Sequence, residues 1–495
     1  MQKKLYDKIY GCWLGKNIGG TLGGPYEGQK RLLNLSFYGP VPKEPAPNDD
    51  LDLQLVWLDL LLKKGPAITS ADLGEAWLKH VSYPCDEYAV ATANLKMGLK
   101  PPASGYYNNW FQNGMGASIR SEIWAAIAPA NPGVAAYYAY QDACVDHYDE
   151  GIYGEVFLAA LESAAFAPGH CEPCFGRTGV PPVVIRAWQS HLSTIIATGL
   201  SFLPENSKVY QVVEFVRNLY TQGKSVSESQ EAIVKRFGHF NMTDCVQNIG
   251  FIVLGLLYGE GDFGRTILAA VNCGYDTDCT GATSGAVMGI ILGAKGIPQE
   301  WKAPVGDAIV VGSGIRDIKA PATLAELTEK TMQIGEMVSK VSLKTLPKPS
   351  SLPQAKISTP PLHFPFILNG QDEISFSDCH FNLNPYVNSA SHSLRLSTFF
   401  DNPISRKARI LPACNDGLKL WLDNNLALSY HDHKPIRPAP HYPDQSRFVD
   451  LDLTKGRHRV DLEINCCQKP LEFSWLISGA DYHLLTDLKY STKEQ

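Results

Sequence analysis

Along the first two thirds of the chain, apolar residues recur every three or four positions. LDLQLVWLDLLLKKG (51–65), GEVFLAALESAAFA (154–167), KVYQVVEFVRNLYTQG (208–223) and DCVQNIGFIVLGLLYG (244–259) are rich in good helix formers and read as helices. Most end on glycine, a common helix stop. PATLAELTEKTMQIGEMVSKV (321–341) reads as another helix, with Pro321 in its first turn. The opening MQKKLYDKIYGCWLGK has neither the continuous apolar stretch nor the small-residue cleavage site of a leader, and reads as the first helix of the fold. Many of these segments are apolar over more than half their circumference, which predicts a multi-helix globule around a buried central layer.

SLKTLPKPSSLPQAKISTPPL (342–362) breaks the pattern with prolines 347, 349, 353, 360 and 361, and reads as a linker. Beyond it the period becomes two. Leu418, Leu420 and Leu422 alternate with Lys419, Trp421 and Asp423, and Asn424-Asn425 supplies a turn before LALSY. Val460, Leu462 and Ile464 alternate with charged residues after a Lys455-Gly456 turn. The expected chain is therefore multidomain: an all-α domain over 1–341, a linker over 342–362, and an all-β sandwich or jelly roll over 363–495. No internal repeat is visible.

Composition changes this picture little. The chain has 495 residues, 44% hydrophobic and 19% charged, which suits one large domain and a smaller one. A net charge of −6 and the lack of a polybasic run disfavour a nucleic-acid partner. No run of about 18 apolar residues occurs, so no membrane span is expected. Twelve cysteines at irregular spacing are expected as free thiols in a reducing cytoplasm. The one Cys-x-x-Cys, Cys171 to Cys174, lacks the second pair of a structural zinc site, and a loop with two thiols is favoured over a metal or redox motif.

The chemistry is acidic. GGTLGGPYEG (19–28) presents Glu27 after a glycine-rich loop that matches neither phosphate-binding fingerprint. APNDDLDLQ (46–54) carries Asp49 and Asp50 just before a helix, and NCGYDTDCTGAT (272–283) carries Asp276 and Asp278. Each has an ordinary explanation. Asn48 or Asp49 can cap helix 51–64, Glu27 can be solvated, and Asp276 or Asp278 can cap a helix beginning near Gly281. One cap, however, needs one aspartate. Taken together, the stretches offer five carboxylates with Asn48, Thr277 and Thr280 as neutral oxygen donors. That set suits two hard divalent cations, which would relieve the repulsion. The small residues Gly281, Ala282, Ser284, Gly285, Ala286 and Gly289 allow close helix packing behind the cluster.

These stretches, with GCWLGKNIGGTLGGPYEG (11–28), NGMGASIRSEIWAAIAP (113–129) and GYDTDCTGATSGAVMGIILGAKGIPQEW (274–301), resemble the ADP-ribosylglycohydrolase family over roughly residues 1 to 340. The resemblance implies an all-α fold with two Mg²⁺ ions, or Mn²⁺, at its centre. Asp49, Asp50, Asp276 and Asp278 match the family's metal-binding aspartates, and Asn48 and Thr280 stand beside them as further candidate ligands. Glu27 matches the acidic residue that sits over the metals. In the family the metal pair holds adjacent ribose hydroxyls and the bond broken is at the anomeric carbon. Glu27 is then the expected acid/base, with Asp50 a second candidate for activating water. Asn113, Gly114, Glu122, Asp146, His147 and Tyr275 are candidate substrate contacts, although a satisfied histidine at a helix end is the favoured reading of His147.

The sequence departs from the family pattern at three places. Asn48 and Cys279 stand where threonine is usual, and a thiol is a poor ligand for a hard metal, leaving that position vacated or filled by Thr280 or water. The common Gly-Asp-Ala-Leu-Gly has become Gly19-Gly20-Thr21-Leu22-Gly23, which removes a carboxylate that Glu122 would place elsewhere. The expected substrate is a small-molecule or protein-linked ADP-ribose-like glycoside. NDGLKLWLDNNLALSYHD resembles a strand-turn-strand of galactose-binding-like sandwiches attached to carbohydrate enzymes. It keeps a carbohydrate glycoside open as the alternative, and a stabilising appendage open as the role of the β module. A non-catalytic sugar-nucleotide binder and a two-metal phosphatase rank lower. Oligomeric state is left open.

Overall fold

The computed structural model describes residues 2–168, 182–349, 351, 355–387, 392–442 and 447–494, with residues 182–186 described by backbone alone. The Cys171–Cys174 motif lies outside the described residues. The chain forms two compact units: Met1–Ser82 with Phe111–Gln354, and Tyr83–Trp110 with Ala355–Gln495.

In chain order the helices begin α1 (Gln2–Gly23), α2 (Asp49–Lys64), α3 (Ser70–His80), α4 (Asp86–Lys96), α5 (Ala103–Tyr106), α6 (Ser121–Ile127), α7 (Pro132–Ala143) and α8 (Glu150–Ala165). They continue as α9 (Pro182–Leu200), α10 (Lys208–Thr221), α11 (Val226–Phe237), α12 (Cys245–Tyr258), α13 (Phe263–Val271), α14 (Thr277–Leu292), α15 (Gln299–Lys302) and α16 (Leu324–Ser339). The helices expected from periodicity are present. Pro321 lies outside α16, whose N-cap is Thr323, accepting from Glu326 N at 3.2 Å. Among the described residues no helix is long and apolar enough to cross a membrane.

The centre of the first unit is α14, buried at every position from Thr277 to Ile290 and packed by α1, α8, α12 and α13. Its pairing with α1 is set by glycine. A Cβ on Gly11 would lie 2.4 Å from Gly289 O, on Gly15 2.0 Å from Gly285 O, on Gly19 1.9 Å from Gly281 O, and on Gly23 2.1 Å from Thr277 O. The two helices run antiparallel with backbones in contact over four successive small-residue steps. This corrects the reading of 19–28 as a loop: Gly19–Gly23 form the last turn of α1. Glycine lowers helix propensity by about 1 kcal/mol per residue, but here any side chain would separate the pair.

In the second unit, all-antiparallel strands form two sheets. They are β1 (Phe364–Leu368), β2 (Asp372–Phe376), β3 (His380–Asn382), β4 (Ser393–Asn402), β5 (Arg406–Cys414) and β6 (Leu418–Leu422). The rest are β7 (Asn425–Tyr430), β8 (Val449–Leu453), β9 (Gly456–Asn465), β10 (Glu472–Gly479) and β11 (Lys489–Ser491). One sheet has the order β2-β1-β4-β9-β6-β7, with β11 also on β4, and the other β3-β10-β5-β8. Leu394, Leu396, Leu418, Leu420, Val460, Leu462 and Ile464 of the first sheet share a core with Ile410, Phe473 and Trp475 of the second. The turn between β6 and β7 is Asp423-Asn424, both at positive φ (51° and 66°), one residue earlier than Asn424-Asn425. A two-residue type I′ hairpin needs positive φ at both central positions, and Asn425 already belongs to the next strand. The segment 83–110, with α4 and α5, belongs to this unit, where Asn108 Oδ1 accepts from Cys379 N at 2.8 Å.

Gly15→Ala is expected to cost about 3 kcal/mol or more, the upper end of overpacking, because the obstructing atom is a backbone carbonyl rather than a side chain that can turn. Gly24→Ala, where nothing lies within 4 Å of a new Cβ, serves as the control and is expected to stay within about 0.5 kcal/mol. Urea unfolding of both variants decides the point; equal midpoints would show that the helix contact is not as tight as described.

Candidate metal centre

Three helix ends meet at the acidic cluster. Asn48 is the N-cap of α2, its Oδ1 accepting from Asp50 N at 2.8 Å, so Asp49 and Asp50 occupy the first turn. Asp276 holds the N-cap position of α14, one residue before Thr277 and well before Gly281, yet makes no side-chain cap bond. Asp278 follows in the first turn. Because α1 is locked against α14, its end arrives at the same place: Thr277 Oγ1 donates to Gly23 O at 2.8 Å. Glu27 follows Gly23 by four residues and is exposed. The chain is then clasped to the Asp-Thr-Asp loop, with Gly28 N donating to Tyr275 O at 2.8 Å and Tyr275 N to Gln29 O at 3.0 Å. Tyr275 sits at φ 66°, nearly buried, its ring against Phe251.

The result is two overlapping trios. Asp50, Asp278 and Cys279 form one, and Glu27, Asp276 and Asp278 the other, each with ligand atoms within 4.8 Å of one another. Asp278 belongs to both. Asp50 and Asp276 are 1% exposed and Asp278 9%. Both oxygens of Asp50, Oδ2 of Asp276 and Oδ1 of Asp278 are buried without a hydrogen-bond partner. Burial, then the neighbouring carboxylates, push Asp276 well above the usual carboxylate range and Asp278 to about 7. Burial likewise raises Asp50, against the opposing pull of Lys16. Buried polar atoms are normally paired, so these oxygens define a place for positive charge. Their number, type and convergence fit divalent cations.

Lys16 is the one protein cation reaching this set among the described ion pairs, and sequence reading passed over it. Its Nζ lies 3.5 Å from Asp50 Oδ1, but also 2.9 Å from Glu122 Oε1 and 3.0 Å from Ile119 O. Burial pulls Lys16 down, and Glu122, Asp50 and Glu162 outweigh it and hold it protonated. Gln54, also missed, completes the brace: its Nε2 donates to Asp50 O, Ile119 O and Glu122 Oε2, and its Oε1 accepts from Ile123 N. A lone lysine between small residues in GCWLGKNIGG was the available signal.

The candidate substrate contacts separate. Glu122 is fully buried in the Lys16 pair, so it neither faces substrate nor replaces the carboxylate missing at Gly20. At Gly20 a Cβ would lie 2.7 Å from Asn48 Nδ2, so a larger residue there conflicts with this cap. Asp146 and His147 are also fully buried. Asp146 pairs with Arg120 at 2.7 Å; burial favours its neutral form, but Arg120 and His147 overcome this and hold it at about 2. His147 Nε2 accepts from Ala117 N at 3.3 Å, and its Nδ1 is 3.0 Å from Asp146. These groups brace the turn of the NGMGASIR stretch from inside. Asn113 ties helix ends together: its Oδ1 accepts from Glu150 N and its carbonyl from Cys245 N, while Gly114 bridges to Asp244. Thr280 Oγ1 donates to Thr277 O at 3.3 Å, and the Asn48 Oδ1 is engaged in its cap, so neither hydroxyl nor amide is aimed solely at the cluster.

Lys16→Met leaves Glu122 and Glu162 buried without their cation. A loss of about 3–5 kcal/mol is expected, with partial recovery in Lys16→Met/Glu122→Gln, both read by denaturant unfolding. A single variant as stable as wild type would remove Lys16 from this role.

A sequence model of the ADP-ribosylglycohydrolases matches residues 1–335. Among solved structures the chain is similar to an ADP-ribosylglycohydrolase-related protein complex, at 18% identity over 69% of this chain and 100% of that one, with a TM-score of 0.44. It is more distantly similar to an alpha-xylosidase from Xanthomonas citri, at 16% identity over 26% of this chain and 15% of that one, with a TM-score of 0.18. No curated protein matches the chain. The family match covers most of the helical unit and every acidic stretch of the cluster, and the chain belongs to the ADP-ribosylglycohydrolase family, a family of hydrolases acting on glycosidic bonds.

Proposed function

We propose that the chain is a metal-dependent hydrolase that cleaves the bond at the anomeric carbon of an ADP-ribose-like substrate, small or protein-linked. The observation that carries this reading is the sharing of Asp278 between two trios in which Asp50 Oδ1 and Oδ2, Asp276 Oδ2 and Asp278 Oδ1 are buried without a hydrogen-bond partner. Asp50, Asp276 and Asp278, with Asp49 and Glu27 at the edge, would hold two divalent cations, Mg²⁺ or Mn²⁺. Bound there, the cations supply positive charge for gripping two neighbouring sugar hydroxyls.

The division of labour among the carboxylates follows their exposure. Glu27 is the most exposed of the five, ahead of the half-buried Asp49, so it is the group best placed to meet a substrate and move a proton at its carboxylate. Asp50, buried and braced by Lys16 and Gln54, suits holding over proton transfer, which lowers its standing as the base. Positive charge growing on the anomeric carbon is stabilised by the negative edge of the cluster. A carbohydrate glycoside remains the second reading, favoured by the β-sandwich unit and by Gly20 in place of a carboxylate.

Released ADP-ribose from ADP-ribosylated arginine or serine peptides, measured against hydrolysis of aryl glycosides, separates the two substrates; turnover of the aryl glycosides alone would overturn the first reading. Asp278→Asn is expected to abolish turnover and cation binding together. Glu27→Gln is expected to lose about 10²–10⁴-fold in kcat while still binding cations, measured by calorimetry. Asp278 has its folded pKa at about 7 against an ordinary 3.8. Across that window the cation-free fold keeps a proton that the unfolded chain releases, so stability falls as pH rises. Mg²⁺ replaces the proton, so its affinity rises with pH. Thermal melts from pH 4 to 8 should show a gap between Mg²⁺ and chelator that widens upward; a constant gap would contradict this.

A further inference from the structure

We propose that the two halves of this centre are chemically unequal: the Asp50–Asp278–Cys279 half is an oxygen–sulfur site for a borderline cation of the Zn²⁺ or Co²⁺ class, beside an all-oxygen half for Mg²⁺ or Mn²⁺. This rests on the binuclear reading above and puts a borderline ion in place of Mg²⁺ or Mn²⁺ in one half. The sulfur is one of three donor atoms within 4.8 Å of one another, and among the described residues Cys279 is the only cysteine in such a trio. The partner donors point to a ligand independently: Asp50 is 1% exposed with neither oxygen hydrogen-bonded, and Asp278 Oδ1 is equally unpartnered.

The neighbouring hydroxyl is held by a bond of its own. Thr280 Oγ1 is directed to Thr277 O, back along its own helix. A buried cysteine elsewhere in a protein acts as a small apolar side chain. Here its surroundings are carboxylates, with ligand oxygens of Asp50 and Asp278 within 4.8 Å of its sulfur. A divalent cation forms a bond to sulfur as the S–H bond breaks, and the proton leaves to solvent, with no change in oxidation state. Thiolate favours Zn²⁺ over Mg²⁺, whereas carboxylates alone favour Mg²⁺ and Mn²⁺, so a mixed set selects the borderline ions.

The test is Co²⁺ titration of the full chain followed by absorption, with Cys279→Thr in parallel and Mn²⁺ binding of both proteins measured by calorimetry. The expected result is a near-ultraviolet sulfur-to-cobalt charge-transfer band in wild type that is lost in Cys279→Thr, whose Zn²⁺ affinity falls about 10–100-fold while Mn²⁺ binding persists. Mn²⁺ binding by both proteins with no band, or a band unchanged by the substitution, overturns the sulfur site and leaves the binuclear reading standing. Binding of no divalent cation by either protein overturns both.

Discussion

Everything at the acidic cluster depends on the contact of two glycine-lined helix backbones. At three of its four closest points, Gly11–Gly289, Gly15–Gly285 and Gly19–Gly281, the α1–α14 pair carries no side chains, so there is no rotamer to adjust and no gap to fill. Close-packed interiors resist small displacements, and a backbone-to-backbone contact resists them most. The contact ends at Gly23 and Thr277. One carboxylate cluster therefore gathers where one helix stops and the other starts, and its spacing is inherited from the helix axes rather than from flexible loops. This is a rigid foundation of the sort that precise ligand geometry requires.

Around that foundation the interior is built from charges. Lys16 and Arg120 are each enclosed by carboxylates, the first by Glu122 and Asp50, the second by Asp142 and Asp146. Trp124 Nε1 joins Asp142 to Glu155, extending the second group. Burial raises Glu155 and Glu162 well above the usual carboxylate range, with neighbouring acids adding to it. Apolar residues of the same volume would often be as stable, so such networks fix arrangement more than they add stability. Here they set the angle of α6 and of the turn before it against α1 and α2.

How much of this could be read from the chain alone varies with range. Local pattern located the main helices, the change of period after the linker and the acidic stretches. It also marked the small face of α14, since Gly281, Gly285 and Gly289 stand four apart. The partner face, Gly11, Gly15, Gly19 and Gly23, has the same spacing, but GGTLGGPYEG also looks like a turn, and propensity favours that reading until a second helix is present to demand the glycines. Asn48 shows the opposite: its capping role was visible locally and holds. Glu122 and Asp146 stand as candidate contacts, and His147 as one with a satisfied helix-end histidine favoured, because nothing in a sequence tells a buried ion pair from a substrate contact. Their partners, Lys16 and Arg120, lie across the fold or in another element. The grouping of 83–110 with the β-sandwich unit was equally out of reach, because it rests on pairings more than 250 residues apart, such as Asn108 with Cys379.

The charge balance explains why the cluster is open to cations rather than closed upon itself. Lys16 is matched by Glu122 before it reaches Asp50, so it adds little net charge to the site. The N-termini of α2 and α14 both face the cluster, and each carries about half a positive charge. The C-terminus of α1 at Gly23 offsets part of that positive charge, so the five carboxylates leave a large negative excess. Without cations the same excess must be met by protons, which is why burial raises Asp50, Asp276 and Asp278 together rather than one of them. Asp50 Oδ1 and Oδ2, Asp276 Oδ2 and Asp278 Oδ1 find no hydrogen-bond donor in the fold, so nothing within it relieves the charge on those four oxygens.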